Sequence, residues 1–224
     1  MLKQVMATAV AVVGVGLMAA GQPDSESEIM PKPSEDKMVY VHMKTSMGDI
    51  YLELDGDKAP ITVENFVKYA EDKAYDGTIF HRIISTFMIQ GGGYDKDLVE
   101  RDTRKPIKNE WKNGLKNKKY TIAMARTGDP DSATSQFFIN VVDNGRLDQP
   151  ISGGAGYAVF GKVVKGQDVV DKIKAVPTQP RGMHQNVPVE PVVIEKVVVL
   201  DAMAVEKLGL RGEGEGVSND DSGG

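Results

Sequence analysis

Ser135-Gln136-Phe137-Phe138-Ile139-Asn140 (SQFFIN) reads as a β-strand with two different faces. Side chains of an extended segment point to opposite sides in turn, so Phe137 and Ile139 share one face while Gln136, Phe138 and Asn140 share the other. The first face is core. The second sets a large aromatic among amides, which alone says little, because isolated surface apolar residues are common. Phe80–Gly93 (FHRIISTFMIQGGG) repeats the arrangement. Phe80, Arg82 and Ile84 share a face, and Met88 and Gln90 share another after a Ser85-Thr86 bend. If the two segments are neighbours, Phe87, Met88 and Phe138 line a shallow apolar pocket rimmed by Arg82, Gln90 and Gln136. An apolar floor with a few converging polar groups is the usual form of a small binding site. The same alternation puts His81 on the core side with Ile79 and Ile83, as a hydrogen-bonded buried histidine.

Strand patterns dominate the rest of the body. Val39–Thr45 and Asp49–Leu54 flank a Ser46-Met47-Gly48 turn, and further strand-like runs cover Thr78–Ile84, Phe87–Gln90, Thr121–Ala125, Ser135–Val141, Tyr157–Val164 and Val192–Leu200. Pro60 opens a helix on which Val63, Phe66, Val67 and Ala70 recur at helical spacing. A second helix covers about Gln167–Val176, with Val169, Val170, Ile173 and Val176 on one face. Two helices with about eight short strands predict a mainly β fold, an antiparallel barrel or sandwich with helices over its open ends.

The chain has 224 residues, no cysteine, three histidines and a formal charge of −5. Thiol catalysis, disulfides and cysteine-ligated zinc are excluded. His42, His81 and His184 have no ligand-like spacing, and the charge pattern is not that of a nucleic-acid binder. Lys3 precedes an uncharged run from Val5 to Ala20, too short to span a bilayer comfortably, ending in Ala19-Ala20-Gly21. This predicts a signal peptide over 1–21 and a periplasmic or secreted protein, with no stable membrane insertion once it is removed; a retained anchor is the alternative. Residues 22–37 read as a disordered acidic spacer, 38–210 as the folded domain and 211–224 as a disordered tail. Gly91-Gly92-Gly93 lacks the Lys-Ser/Thr of a phosphate loop and reads as a turn or bulge. Asp95–Asp97 and Asp129-Pro130-Asp131-Ser132 lack calcium-loop spacing.

FHRIISTFMIQGGG, IAMARTGDPDSATSQFFIN and GYAVFGKVVKGQDVVDKI, with PITVENF on the first helix, resemble the signature blocks of the cyclophilin family in order and spacing. The MART and INVVDN stretches resemble its bacterial, exported branch. The resemblance covers Met38 to about Leu200. It implies a closed eight-stranded antiparallel barrel capped by two α-helices, and a peptidyl-prolyl cis-trans isomerase that needs no cofactor or metal. Its partners would be proline-containing peptides and unfolded exported proteins, with the enzyme itself a monomer.

By the same resemblance Arg82 matches the catalytic arginine. Phe87, Met88, Phe138 and Leu147 match the proline pocket, and Gln90 and Gln136 match its hydrogen-bonding groups. Ala125 and the backbone of Arg126 match the strand that pairs with bound peptide. Arg146 and Tyr157 stand where the best-known eukaryotic members carry tryptophan and histidine, which predicts weak binding of cyclosporin-like inhibitors with activity retained. A proline-peptide binding module or chaperone with little catalysis is the alternative; a small-ligand barrel carrier is disfavoured because the inferred interior faces are ordinary core.

Overall fold

The computed structural model describes residues 37–211. The expected signal peptide, nearly all of the acidic spacer and the tail beyond residue 211 lie outside the described residues.

The fold starts with a hairpin of β1 (Met38–Thr45) and β2 (Gly48–Asp55), in register from Met38 opposite Asp55 to Thr45 opposite Gly48. Helix α1 (Pro60–Glu71) follows, with Pro60 in its first turn. No local side chain caps it. The Glu110 carboxylate instead accepts from the backbone N–H groups of Ile61 (3.2 Å) and Thr62 (2.8 Å) and from the Thr62 hydroxyl (2.6 Å). A carboxylate there satisfies otherwise unpartnered donors and complements the positive end of the helix dipole.

Thr78–Ile84 was expected as one strand and forms two, β3 (Thr78–Ile79) and β4 (Arg82–Ile84), separated by Phe80 and His81. Then come β5 (Met88–Gly91), β6 (Thr121–Met124), β7 (Phe137–Asn140), a 3₁₀ turn (Gly145–Asp148), β8 (Val159–Lys165) and helix α2 (Gln167–Ile173). The chain continues through β9 (Thr178–Arg181), β10 (His184–Pro188) and β11 (Val193–Val199) to helix α3 (Ala202–Lys207). Helix α2 stops short of Val176, which still packs on the core. The β9–β10 hairpin and α3 are additions to the expected pattern. The hairpin's β9 is wholly exposed and has no hydrophobic alternation, and α3 covers a small outer cluster of Tyr40, Val205 and Leu210.

The main sheet runs β3-β11-β1-β2-β8-β6-β7-β5-β4, and every pairing in it is antiparallel. Its first and last members are successive pieces of Thr78–Ile84: Thr78 and Ile79 pair with β11, and Arg82–Ile84 pair with β5. The sheet therefore curls until its ends meet in one segment, which counts as one bent strand of eight. Such curling leaves few free edges.

Inside the curl, Ile83, Ile89, Ile139 and Ile122 stand opposite one another on four neighbouring strands, all fully or almost fully buried. Phe66 of α1 meets Tyr75, Phe137 and Phe160 with ring centroids 4.9–5.6 Å apart. Phe80 joins this core, edge-on to Phe137 at 6.2 Å, instead of sharing the face of Arg82. The break after β3 is what rotates it inward.

Candidate active site

The outer face of the same four strands carries the candidate site. Arg82 on β4 lies opposite Gln90 on β5, Gln90 opposite Phe138 on β7, and Phe138 opposite Ala123 on β6. Strands are spaced about 4.8 Å apart, so Arg82 and Phe138 stand roughly 10 Å apart along this row. The next row places Ile84, Met88 and Asn140 side by side. Alternation alone therefore brings Arg82, Met88, Gln90 and Phe138 to one surface.

The polar half of the row is wired. Arg82 donates from Nη1 to Gln90 Oε1 at 3.2 Å, and Gln90 donates from Nε2 to Gln136 Oε1 at 3.0 Å. All three side chains are half-buried. The glycines of Gly91–Gly93 make room for this relay. Gly92 has φ +84 and a Cβ there would lie 2.8 Å from the Phe137 ring, while a Cβ on Gly93 would lie 2.5 Å from Gln136. Any larger residue would displace the rim amide or the core aromatic beside it.

The apolar half forms a second hydrophobic cluster outside the barrel. Met88, Ala123, Phe138, Leu147 and Val159 are its buried members, with Phe87, Ala125 and Tyr157 packed partly buried around them. Leu147 comes from the 3₁₀ turn, and its carbonyl accepts from the Tyr157 N–H at 2.9 Å. The Tyr157 ring meets Phe138 edge-on at 5.8 Å. Phe138 is thus 4% exposed although it points away from the core, because Leu147 and Tyr157 fold over it. Arg146, the neighbour of Leu147, is exposed.

Ala125 and Arg126 lie just past the end of β6, where the Ala125 N–H donates to the Gln136 carbonyl at 3.0 Å. The Arg126 side chain has a part the sequence did not disclose. Its guanidinium donates to the carbonyls of Ala155 (2.6 Å), Ser152 (2.8 Å), Thr127 (2.9 Å) and Gly156 (3.2 Å), and lies 4.5 Å from the Tyr157 ring centroid. It holds the glycine-rich loop that brings Tyr157 to the Phe138 cluster.

A second support is an amide network. Buried Asn140 donates to Asn117 Oδ1 (3.1 Å) and Thr121 Oγ1 (3.0 Å), and its own Oδ1 accepts from Asn144 Nδ2 (2.7 Å). Asn144 also donates to the Phe87 carbonyl (2.8 Å), and Asp148 accepts from the Asn117 amide (2.9 Å). These groups pin both ends of the 3₁₀ turn under Leu147. The signal was the asparagine on the Phe138 face, but its partners Asn117 and Thr121 lie about twenty residues away along the chain.

His81 is buried but not as expected. It lines an open cleft of about 440 Å³ with Arg82, Gln90, Gln136 and Tyr94, and its Nδ1 has no hydrogen-bond partner. Burial, His184 and Arg82 depress its pKa from 6.5 to about 4, so the ring is neutral at pH 7. Asp95 and Asp129 accept from backbone N–H groups in their own turns, and Asp131 accepts from the Asn109 N–H at 2.9 Å.

Residues 40–199 match the family model for cyclophilin type peptidyl-prolyl cis-trans isomerases. A peptidyl-prolyl cis-trans isomerase of Acinetobacter baylyi is 58% identical over 159 residues, spanning 71% of this chain and 84% of the relative. Peptidyl-prolyl cis-trans isomerase B of Escherichia coli is 55% identical over 166 residues, or 72% of this chain and 99% of the relative. A crystal structure of a cyclophilin type isomerase from Cryptosporidium parvum superposes with a TM-score of 0.59 at 25% identity, covering 73% of this chain and 98% of that one. With fold and sequence in agreement, the chain belongs to the cyclophilin-type peptidyl-prolyl cis-trans isomerase family.

Proposed function

We propose that this chain catalyses rotation about X-Pro bonds with Arg82 as the catalytic group, and that its substrates are proline-containing segments of exported, incompletely folded proteins. The observation that carries the reading is the row itself. A guanidinium with one donor fixed on Gln90 stands two strands away from an apolar cluster built around Phe138.

Amide resonance sets a barrier of ~18–20 kcal/mol to this rotation. In the twisted transition state conjugation is lost and the prolyl nitrogen gains a usable lone pair. A donor beside that nitrogen stabilises the transition state more than the planar ground state, which is the condition for catalysis. Arginine suits the task, since it stays charged and presents a rigid fork of donors. The Met88–Phe138–Leu147 cluster takes the ring of proline, and the amides of Gln90 and Gln136 hold neighbouring carbonyl groups. One side of the bond is then fixed while the other turns. No nucleophile or proton relay enters this scheme.

The export context rests on Lys3 and the Val5–Ala20 run. A mass spectrum of the mature protein from its native compartment tests it: loss of the first 21 residues is expected, and an intact N-terminus in a cytoplasmic fraction would contradict it. For the activity, cis-to-trans conversion of a prolyl tetrapeptide is followed beside calorimetric binding of the same peptide. Acceleration with turnover supports the isomerase. Binding without acceleration would favour a proline-peptide binding module.

A further inference from the structure

The β9–β10 hairpin has no part in the chemistry above, yet it is built against the site. Tyr94 packs edge-on between His81 and His184, with ring centroids 4.7 and 4.9 Å away. Arg181 donates from Nη1 to the Lys96 carbonyl at 3.0 Å, β10 packs on β4, and Val187 is 2% exposed. The base of the hairpin is thus anchored. Its tip is turned to solvent: Met183 is 95% exposed, Gln185 is exposed, and His184 and Asn186 are half-buried.

Between this tip and the Arg82–Gln90–Gln136 relay lies the 440 Å³ cleft. Its walls contain Arg82 but no lysine and no carboxylate. Gln185 and Asn186 each present donors and an acceptor, the set that matches the N–H and C=O groups of an extended peptide. Met183 adds a flexible apolar contact that tolerates varied side chains. A surface of neutral amides beside an unpartnered methionine fits an uncharged stretch of polypeptide better than an ionic group.

We propose that this cleft is a second substrate subsite, which holds the uncharged, extended peptide residues flanking the proline on the hairpin side through Met183, Gln185 and Asn186. The proposal rests on the Arg82–Phe138 row being the seat of the prolyl bond. It predicts that substrates longer than a minimal peptide are turned over better, and that the gain is a property of the hairpin tip.

The test uses the full chain, the double variant Met183→Ser/Gln185→Ala and each single variant. All the altered side chains are exposed, so folding is not at stake. Three substrates are compared: a prolyl tetrapeptide, and the same peptide lengthened by uncharged residues at its N- or C-terminal end. The tetrapeptide is expected to give the same kcat/KM in all proteins. Lengthening at one end should raise the wild-type kcat/KM roughly three- to tenfold through KM, the worth of one or two hydrogen bonds at a wet surface. The double variant should lose that gain, and high salt should leave it in place, since screening acts on charges. No gain at either end, or a gain the double variant keeps, would overturn the subsite. A gain abolished by salt would overturn its neutral character. Should the wild type fail to accelerate even the tetrapeptide, the Arg82 reading falls. Calorimetry with the three peptides then judges the subsite alone, by whether lengthening tightens binding to wild type and not to the variant.

Discussion

Arg82 donates from Nη1 to Oε1 of Gln90 at 3.2 Å, between two residues directly opposed on the β4–β5 ladder. Arginine has five N–H donors, so one bond sets the plane of the guanidinium and leaves others for a substrate. Because the tether is a neutral amide, it orients the charge without neutralising it. Gln136 holds Gln90 in turn at 3.0 Å.

Releasing that tether should separate aim from charge. Gln90→Ala keeps the Arg82 charge and is expected to lower kcat/KM about tenfold, the loss of one charge-assisted hydrogen bond, with the urea midpoint near that of wild type. Steady-state assays beside denaturation curves check it. Unchanged activity would show that the relay does not aim Arg82.

The Arg126 staple gives a different signature. Arg126→Ala strips donors from three carbonyls of the loop that carries Tyr157 and from that of Thr127, and should cost about 1–3 kcal/mol of stability together with a higher KM. Arg126→Lys should recover little of either, since an ammonium cannot reproduce the fork. Urea unfolding and KM measured on the same proteins decide it, and full rescue by lysine would mean that charge alone matters.

Asn140 lies opposite Met88 of the outer hydrophobic cluster, with both ends of its amide engaged. Asn140→Ala leaves the buried Asn117 without this donor and Asn144 without this acceptor. The expected loss is about 2–3 kcal/mol, the upper end for a buried network, read by urea unfolding. A change below half of that would mean that the network re-forms around water.

His81 makes stability depend on pH on the acid side. Burial holds its folded pKa near 4, below the unfolded value of about 6.5. Between those limits the unfolded state binds more protons, so this stability is fully present above pH 6.5 and is lost as pH falls toward 4. The loss is of order 3 kcal/mol for the pKa pair of about 4 and 6.5. His81→Gln should remove this difference, with denaturation curves at pH 7 and pH 4.5 as the measure. Parallel losses in both proteins would contradict the depressed pKa.

Much of this molecule was legible in its sequence where period and local chemistry agree. Two-residue alternation in Phe137–Asn140 and Met88–Gln90 separated the isoleucine core from the Met88, Gln90 and Phe138 face, and Pro60 marked the start of α1. What stayed hidden was set by tertiary contacts. The turn of Phe80 into the core, with His81 left beside the cleft, depends on where β11 and β5 hand over along Thr78–Ile84. The Arg126 staple and the Asn117–Asn140 contact join residues far apart in the chain, and no spacing announces them. The β9–β10 hairpin carries no hydrophobic alternation, because β9 is exposed on both faces.

The most direct test is the rate of cis-to-trans conversion in a prolyl tetrapeptide with wild type, Arg82→Ala and Arg82→Lys at equal concentration. Wild type should accelerate the reaction well beyond its uncatalysed tens to hundreds of seconds. Arg82→Ala should lose roughly a hundredfold or more in kcat, the usual loss when a donor aimed at the transition state is removed, with peptide affinity largely kept and Arg82→Lys only partly active. Equal rates for wild type and Arg82→Ala would remove this arginine from the mechanism.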